Sequence, residues 1–124
     1  MKRFNCLVLE DSLSDQLSIE MLLNHYPEIQ PFYTSSAQEF EYEVAQNKYS
    51  LFITDIKLQG NITGIDLLQS VNDTSAWVII SSAYHSKKYY DQYKPLPFTK
   101  FYLQKPFDDF VFKTHIESFL FAKQ

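Results

Sequence analysis

Glycine is scarce in this sequence, since the 124 residues contain only Gly60 and Gly64. Two glycines cannot build the phosphate-cradling loops of nucleotide-binding proteins, and neither common form of that motif is present. The single cysteine, Cys6, excludes an internal disulfide bond. Its position in an apolar run predicts a buried, inert thiol, and a reducing cytoplasm fits this cysteine usage.

The sequence also lacks long apolar runs and an excess of basic residues. No stretch approaches the length of a membrane span, and the first ten residues have no signal-peptide cleavage site. The net charge of −4 argues against a general nucleic-acid-binding surface, because such surfaces are usually basic. We therefore expect a cytoplasmic protein without membrane contact and without direct binding of nucleic acid by this domain.

What is present suits one globular domain. A hydrophobic content of 45% and a charged content of 21% are ordinary for a soluble protein, and 124 residues are enough for a single core. We predict one domain over residues 1–124, with no output domain in the chain.

Short apolar runs alternate with helical patterns along the whole chain. Strands are predicted at 3–10, 29–35, 49–55, 76–84 and 100–105, and helices at 12–26, 36–47, 65–73, 86–94 and 106–124. Pro31 favours an edge position for the second strand. This alternation predicts an α/β fold in which helices cover both faces of a five-stranded parallel sheet.

Apolar residues recur at helical spacing in the first and last helices. Leu13, Leu17 and Met21 recur every four residues, and Leu22 and Leu23 widen that stripe. This spacing predicts a helix, with Ser12 or Ser14 as its N-cap. The closing helix carries its apolar residues on one side, at Phe112, Ile116, Phe119 and Leu120.

Polar residues follow four of the predicted strands. Glu10 and Asp11 end the first strand, Asp55 ends the third, Ser82 ends the fourth and Lys105 ends the fifth. The carboxyl ends of parallel strands meet at one edge of the sheet, where sites form in doubly wound folds. These side chains are therefore expected to converge.

Three carboxylates in one place repel each other unless positive charge offsets the repulsion. Lys105 supplies one positive charge, and Mg²⁺ (or Mn²⁺) would supply more through carboxylate oxygens, a backbone carbonyl and water. An aspartate beside such a metal can attack phosphorus and form an acyl phosphate. Asp55 alone, however, could equally be a turn or capping residue, and Ser82 could merely cap a loop.

The motifs "LVLEDS", "FITDIKL", "IISSA" and "YLQKPF", in this order and near the expected intervals, resemble the receiver domain of bacterial two-component response regulators. The resemblance covers essentially the whole chain and implies a (βα)₅ flavodoxin-like fold. It also implies that a sensor histidine kinase or phosphotransfer protein phosphorylates Asp55. The chain would then be a signalling switch in a phosphorelay rather than an enzyme, although it would assist its own phosphoryl transfer and slow autodephosphorylation.

The resemblance assigns the remaining roles residue by residue. Glu10, Asp11, Asp55 and the Lys57 carbonyl would hold Mg²⁺, while Ser82 and Lys105 would bind the phosphoryl group. Tyr102 stands where the family has a rotating aromatic switch residue, and the Lys105–Pro106 peptide bond would be cis. The face of the fourth helix and fifth strand would contact a downstream protein or a second copy in a homodimer.

Some positions depart from the family pattern. Gln59 replaces the usual proline, and Gly64 lies one residue later than is common, which indicates a longer loop. Lys57 and Tyr84 occupy positions that tune dephosphorylation, and neither suits the alignment of an attacking water, so we predict a long-lived acyl phosphate. The stretch "SSAYHSKKYYDQY…YLQKPF", from Ser81 to Phe107, is also similar to receivers that precede LytTR-type DNA-binding domains.

The segment 84–102 is rich in aromatic residues. Seven of them are too many for one short helix and one strand to bury: Tyr84, Tyr89, Tyr90, Tyr93, Phe98, Phe101 and Tyr102. An exposed aromatic surface marks a partner site. We therefore predict such a surface in this segment, against the alternative that these rings cover a loosely packed loop.

Three other functions share part of this pattern. A receiver fold that acts as a phosphorylation-independent interaction adaptor is the main alternative. A haloacid-dehalogenase-like phosphatase needs a second acid two residues after its nucleophile, where this chain has Lys57. A flavodoxin-like flavin carrier is disfavoured because Glu10 and Asp11 would repel the flavin phosphate.

The histidines His25, His85 and His115 are scattered and indicate no metal site.

Overall fold

A computed structural model describes residues 2–58, 60, 62–83 and 87–124 of the chain. The elements alternate in chain order as β1 (Phe4–Leu9), α1 (Leu13–Leu23), β2 (Ile29–Thr34), α2 (Ala37–Gln46), β3 (Leu51–Asp55), α3 (Gly64–Leu68), β4 (Trp77–Ser82), α4 (Lys87–Tyr93), β5 (Thr99–Gln104) and α5 (Asp109–Lys123). The predictions for Gln59, Tyr84 and His85 concern residues outside the described ranges. All five predicted strands and all five predicted helices are confirmed.

The strands form one parallel sheet in the order β2-β1-β3-β4-β5. The predicted edge position of the second strand is confirmed, and Pro31 sits there without removing a hydrogen bond that a central strand would need. Every residue of β3 is buried, as expected for a strand covered on both faces. Its last residue, Asp55, is therefore carried from the core straight to the edge of the sheet.

Two hydrophobic cores lie on opposite faces of the sheet. One core joins the sheet to α1 and α5, and it contains all four apolar residues predicted for the closing helix, Phe112, Ile116, Phe119 and Leu120. The other joins the sheet to α2, α3 and α4, with Phe40 as its largest fully buried side chain. The predicted coverage of both faces is confirmed.

Side-chain caps fix where several helices begin. Ser12 accepts a hydrogen bond from the Asp15 backbone and starts α1, which is one of the two caps that the sequence suggested. Ser36 starts α2 in the same way, and Thr63 with Asp66 forms a capping box at α3. Asp108 starts α5, so its cap lies three residues after Lys105.

The apolar stripe predicted for α1 divides between the two sides of the helix. Leu13 and Met21 are each 70% exposed and Leu17 is 49% exposed, whereas Ile19, Leu22 and Leu23 form the buried side. Apolar residues lie on both sides of this helix, so their spacing does not identify the inward side.

The aromatic segment is mostly packed rather than exposed, which corrects the prediction of a broad aromatic surface. Phe98 is buried, and Tyr89, Tyr93 and Tyr102 are partly buried against the core under α2, α3 and α4. Among the described aromatic residues of this segment, Tyr90 is the exposed one, at 42%. Tyr93 stacks on Tyr102 with 6.3 Å between ring centroids.

No helix within the described ranges has the length and apolar character needed to cross a membrane.

Candidate functional site

Three carboxylates meet where β1 and β3 end. Glu10 and Asp11 follow the last residue of β1, and Asp55 is the last residue of β3, which is hydrogen-bonded to β1. One carboxylate oxygen from each of these three residues lies within 4.8 Å of the others. The predicted convergence of Glu10, Asp11 and Asp55 is therefore present in the structure.

Lys105 lies against this cluster and contacts more acids than the sequence suggested. Its Nζ atom lies 2.8 Å from Glu10 Oε2 and 3.2 Å from Asp55 Oδ2. It also lies 2.9 Å from Asp15 Oδ2, and the lysine side chain is only 11% exposed. An ammonium group has three hydrogens to donate, and these three carboxylates surround it.

Asp15 is the site residue that sequence reasoning missed. It lies in the first turn of α1, and its side chain reaches Lys105. The signal that could have found it is its spacing: Asp15 is four residues after Asp11, at the start of the helix that follows the acidic pair. The predicted site residues all lie at or just beyond strand ends, so an acid one turn into a helix was overlooked.

Burial shapes the protonation of this cluster. It raises the pKa values of Asp55 and Glu10 above their ordinary range, and the Lys105 ammonium offsets part of that effect in both. Burial alone would lower the pKa of Lys105, but hydrogen bonds to Glu10 and Asp15 and the charge of Asp55 raise it overall. Lys105 therefore stays protonated, and the three carboxylates that contact it share its single charge, while Asp11 adds a further carboxylate to the cluster.

Ser82 and Tyr102 lie on the two strands that continue the sheet from β3. Asp55 pairs with Ser81 on β4, so the buried Ser82 lies one residue beyond that pair. The Ser82 carbonyl accepts hydrogen bonds from the Lys105 backbone at 2.9 Å and from the Tyr102 hydroxyl at 3.5 Å. The proposed phosphate-binding residue and the proposed switch residue are thus directly connected.

The loop after β3 is held close to Asp55. The backbone of Lys57 hydrogen-bonds to the Asp55 carboxylate, and Lys57 pairs with Thr63 in an isolated bridge. Gly64 packs so tightly against β3 that an added Cβ would overlap the Asp55 carbonyl oxygen. Glycine at this position allows α3 to start directly against the end of β3.

The cluster fits a hard divalent cation. Its donors are carboxylate oxygens, which are the ligands that Mg²⁺ prefers, and the Asp11 side chain lies toward solvent where coordinated water could remain. Glu10, Asp11 and Asp55 could hold the ion. Lys57 lies beside Asp55, and the use of its carbonyl as a further ligand stays a prediction. The Lys105–Pro106 peptide bond is cis, as the resemblance predicted.

Solved structures of known proteins share this arrangement of strands and helices. The signal receiver domain of an HD domain-containing protein from Pseudomonas fluorescens Pf-5 superposes with a TM-score of 0.85 at 18% identity, covering 98% of this chain and 97% of that one. A CheY-like response regulator receiver domain from Methanospirillum hungatei JF-1 gives 0.84 at 18% identity, covering 94% and 93%. The BeF₃-activated DrrB receiver domain gives 0.78 at 14% identity, covering 95% and 97%.

The chain has the receiver-domain fold. Each likeness extends over nearly the full length of both chains, so the fold implied by the four sequence motifs is confirmed. Scans against protein-family models and curated proteins found no match to this sequence. The receiver fold is therefore established through structure, while the roles of individual residues depend on the geometry of the site.

Proposed function

We propose that this protein is a phosphorylation-dependent signalling switch, with Asp55 as the phosphoacceptor. One observation carries the proposal: a protonated lysine lies 3.2 Å from Asp55 beside two further carboxylates, at the carboxyl edge of a receiver-type sheet. Burying several acids with only one cation lowers the stability of the fold, so such a cluster indicates a functional role. Acceptance of a phosphoryl group by Asp55 is the role that we propose for the cluster.

Asp55, Lys105 and Ser82 have different roles in the proposed transfer. An Asp55 oxygen attacks phosphorus, the bond from phosphorus to the donor's imidazole nitrogen breaks, and the imidazole leaves with the electron pair. Bound Mg²⁺ would supply charge to offset that of the phosphoryl oxygens. Lys105 is already placed to donate to the same group, and Ser82 lies at the end of the neighbouring strand.

The switch would run through Ser82 and Tyr102. In the present structure the Tyr102 hydroxyl reaches the Ser82 carbonyl, and its ring stacks on Tyr93 of α4. A phosphoryl group that draws Ser82 toward Asp55 would disturb that hydrogen bond. The stacked pair would then pass the change to α4 and β5, whose surface we propose as the contact for a downstream protein or for a homodimer.

We place the docking of the phosphodonor on the exposed stripe of α1. Leu13, Leu17 and Met21 form an apolar strip that starts two residues from Asp11, and the same helix contributes Asp15 to the Lys105 contacts. A donor histidine must come within bonding distance of Asp55, so its protein has to cover the surface next to the site. Exposed apolar side chains at that position suit such a partner.

The first test is intact-mass spectrometry after incubation with Mg²⁺ and acetyl phosphate, with Asp55→Asn as the matched control. One added phosphoryl mass in the wild type alone supports the proposal. A folded, Mg²⁺-supplied wild type that gains no mass from acetyl phosphate or from phosphoramidate counts against it. The phosphorylated protein, if isolated, is expected to lose the group over minutes rather than seconds, because Lys57 and Tyr84 do not suit water activation.

The docking surface has a separate test. Phosphotransfer profiling with the purified, autophosphorylated histidine kinases of the source organism should identify the donor. Leu13→Ser with Met21→Ser should slow transfer from that donor by about tenfold or more and leave labelling by acetyl phosphate unchanged. Equal rates from the protein donor would place docking elsewhere.

The second candidate function is a phosphorylation-independent interaction adaptor. The exposed apolar residues of α1 favour it, since they would serve a partner whether or not Asp55 is modified. The complete set of acids around Lys105 argues against it, because a pure adaptor has no need for that buried charge. Mg²⁺ that leaves the melting temperature unchanged would favour the adaptor.

A further inference from the structure

The outer side of α5 carries two large aromatic side chains that project into the solvent. Phe110 is 79% exposed and Phe121 is 83% exposed, the two highest values among the exposed large hydrophobic residues of the described chain. They are eleven residues apart, which is close to three helical turns, so both project from the same side about 16 Å apart. Exposed aromatic residues at such spacing indicate a surface that meets another protein.

Opposite charges lie between the two rings on that side of the helix. Lys113 is three residues after Phe110, and Glu117 is four residues before Phe121. These residues, with Thr114, Ser118 and Trp77, border one shallow groove of about 630 Å³. The order along the helix is therefore ring, positive charge, negative charge, ring, and it is nearly symmetric about residues 115 and 116.

We propose that this side of α5 binds the same side of α5 in a second copy, with the two helices antiparallel. A two-fold axis near residues 115 and 116 places Phe110 against Phe121 of the partner subunit. It also brings Lys113 toward Glu117 of the partner subunit, and the reverse contact follows by symmetry. Each copy thus presents an aromatic ring and an opposite charge to the matching groups of the other copy.

The charge pattern selects the antiparallel arrangement and the identity of the partner. In a parallel pair, Lys113 and Glu117 would each face the same residue of the other copy, and like charges in contact are unfavourable. A partner surface that carries charges of only one sign would form an ion pair with either Lys113 or Glu117, but not with both. A second copy in reverse direction satisfies both, and the groove beside Trp77 can receive the end of a phenylalanine ring.

The proposed contact does not depend on phosphorylation. It uses the outer side of α5, whereas the switch described above acts through Tyr93 and Tyr102 on α4 and β5. One helix side is a small area, below the size of standard stable interfaces, so a weak dimer is expected. Self-association should therefore rise with protein concentration and be the same with Asp55→Asn.

The test is sedimentation velocity up to about 1 mM protein, with the whole chain. The wild type should shift from monomer toward dimer, and Phe110→Asp or Phe121→Asp should weaken association by about tenfold or more. Leu13→Asp is the matched control, because Leu13 is similarly exposed on a different helix and its replacement should leave association unchanged. Circular dichroism confirms the fold of each variant.

Charge reversal provides the decisive measurement. Lys113→Glu and Glu117→Lys should each weaken the dimer severalfold, and the double variant should restore it, because the ion pairs re-form in reverse. Tyr26→Phe controls for the 2.8 Å hydrogen bond that Glu117 accepts from the Tyr26 hydroxyl. A protein that stays monomeric at all concentrations, a dimer unaffected by the two Phe variants, or a double variant that fails to restore association would each overturn the proposal.

Discussion

Helix α1 and helix α4 differ in which of their large side chains reach the core. In α1 the regularly spaced Leu13, Leu17 and Met21 stay exposed, whereas three irregularly spaced tyrosines around α4 and β5, predicted to be exposed, are partly buried. The comparison shows that apolar spacing identifies the presence of a helix more reliably than its inward side. A helix with apolar residues on both sides takes its orientation from the sheet it packs against.

The difference has a functional consequence. Burying Tyr93 and Tyr102 connects α4 to the sheet and hence to Ser82, so this region can transmit a change. Leaving Leu13, Leu17 and Met21 exposed keeps a surface beside the acids available for a partner. In our proposal α1 binds the phosphodonor, whereas α4 and β5 report the phosphorylation of Asp55.

The largest expected effect separates the two sides of α1. Leu22→Ala should lower the free energy of unfolding by about 2 to 4 kcal/mol, because Leu22 is buried in the core that joins α1 and α5 to the sheet. Leu17→Ala, the same change on the exposed side, should alter it by no more than about 0.5 kcal/mol. Urea denaturation of both variants provides the comparison, and similar losses in the two would contradict an α1 that buries Leu22 and exposes Leu17.

A smaller effect is expected at the aromatic pair. Tyr102→Ala removes a partly buried ring that stacks on Tyr93, and it should cost about 1 to 2 kcal/mol of unfolding free energy. Tyr42→Ala on α2 is the matched control, since that ring is 64% exposed and should cost little. Equal stabilities for the two variants would mean that the Tyr102 ring contributes no more packing energy than an exposed ring, as the predicted aromatic surface would require.

Much of the fold was predictable from the sequence because two independent signals agreed. Strand lengths and β-type residues indicated the alternation, and Ser12, Pro31 and the apolar side of α5 indicated a helix start, the sheet edge and the core. The convergence of the polar residues at the strand ends was also predictable, because the carboxyl ends of parallel strands meet at one edge of the sheet. Asp15 was missed because it lies one turn into α1 rather than at a strand end. Its spacing from Asp11 was a usable signal, but its contact with Lys105 also depends on how α1 is placed over the sheet.

The next effect concerns the acids beside α1. Asp55→Asn should raise the free energy of unfolding in chelator by about 1 kcal/mol at neutral pH, since it removes one of the three carboxylates that contact Lys105 and relieves repulsion with Glu10 and Asp11. Burial raises the pKa of Asp55 above its ordinary value, so between its unfolded and folded pKa values the folded protein binds more protons than the unfolded one. Wild-type stability should therefore fall as pH rises through that range.

The pH dependence distinguishes this explanation from a packing effect. The advantage of Asp55→Asn should vanish below the ordinary aspartate pKa, where the carboxyl is neutral in both states, and grow as pH rises. Thermal melts in chelator across this range provide the comparison. An advantage of the same size at every pH would have to come from packing, and a less stable variant would contradict the electrostatic account.

The smallest expected effect tests whether α1 is coupled to the site as well as adjacent to it. If Mg²⁺ bound to Glu10, Asp11 and Asp55 as we propose, it would repel the Lys105 ammonium, and Asp15 at 2.9 Å would be the partner that Lys105 keeps. Asp15→Asn should therefore weaken Mg²⁺ binding about threefold in titration calorimetry. Glu20→Gln makes the same charge change further along α1 and should have a smaller effect.

The role of Lys105 in this coupling is measured by a double-mutant cycle. If Asp15 acts by holding the ammonium, Asp15→Asn should change Mg²⁺ affinity much less in a Lys105→Met background than in the wild type. An equal change in both backgrounds would mean that Asp15 contributes only its charge. Among its described residues, α4 has no acid in contact with Lys105. A smaller effect of Asp15→Asn in the Lys105→Met background would therefore identify α1 as the helix whose position is energetically linked to metal binding.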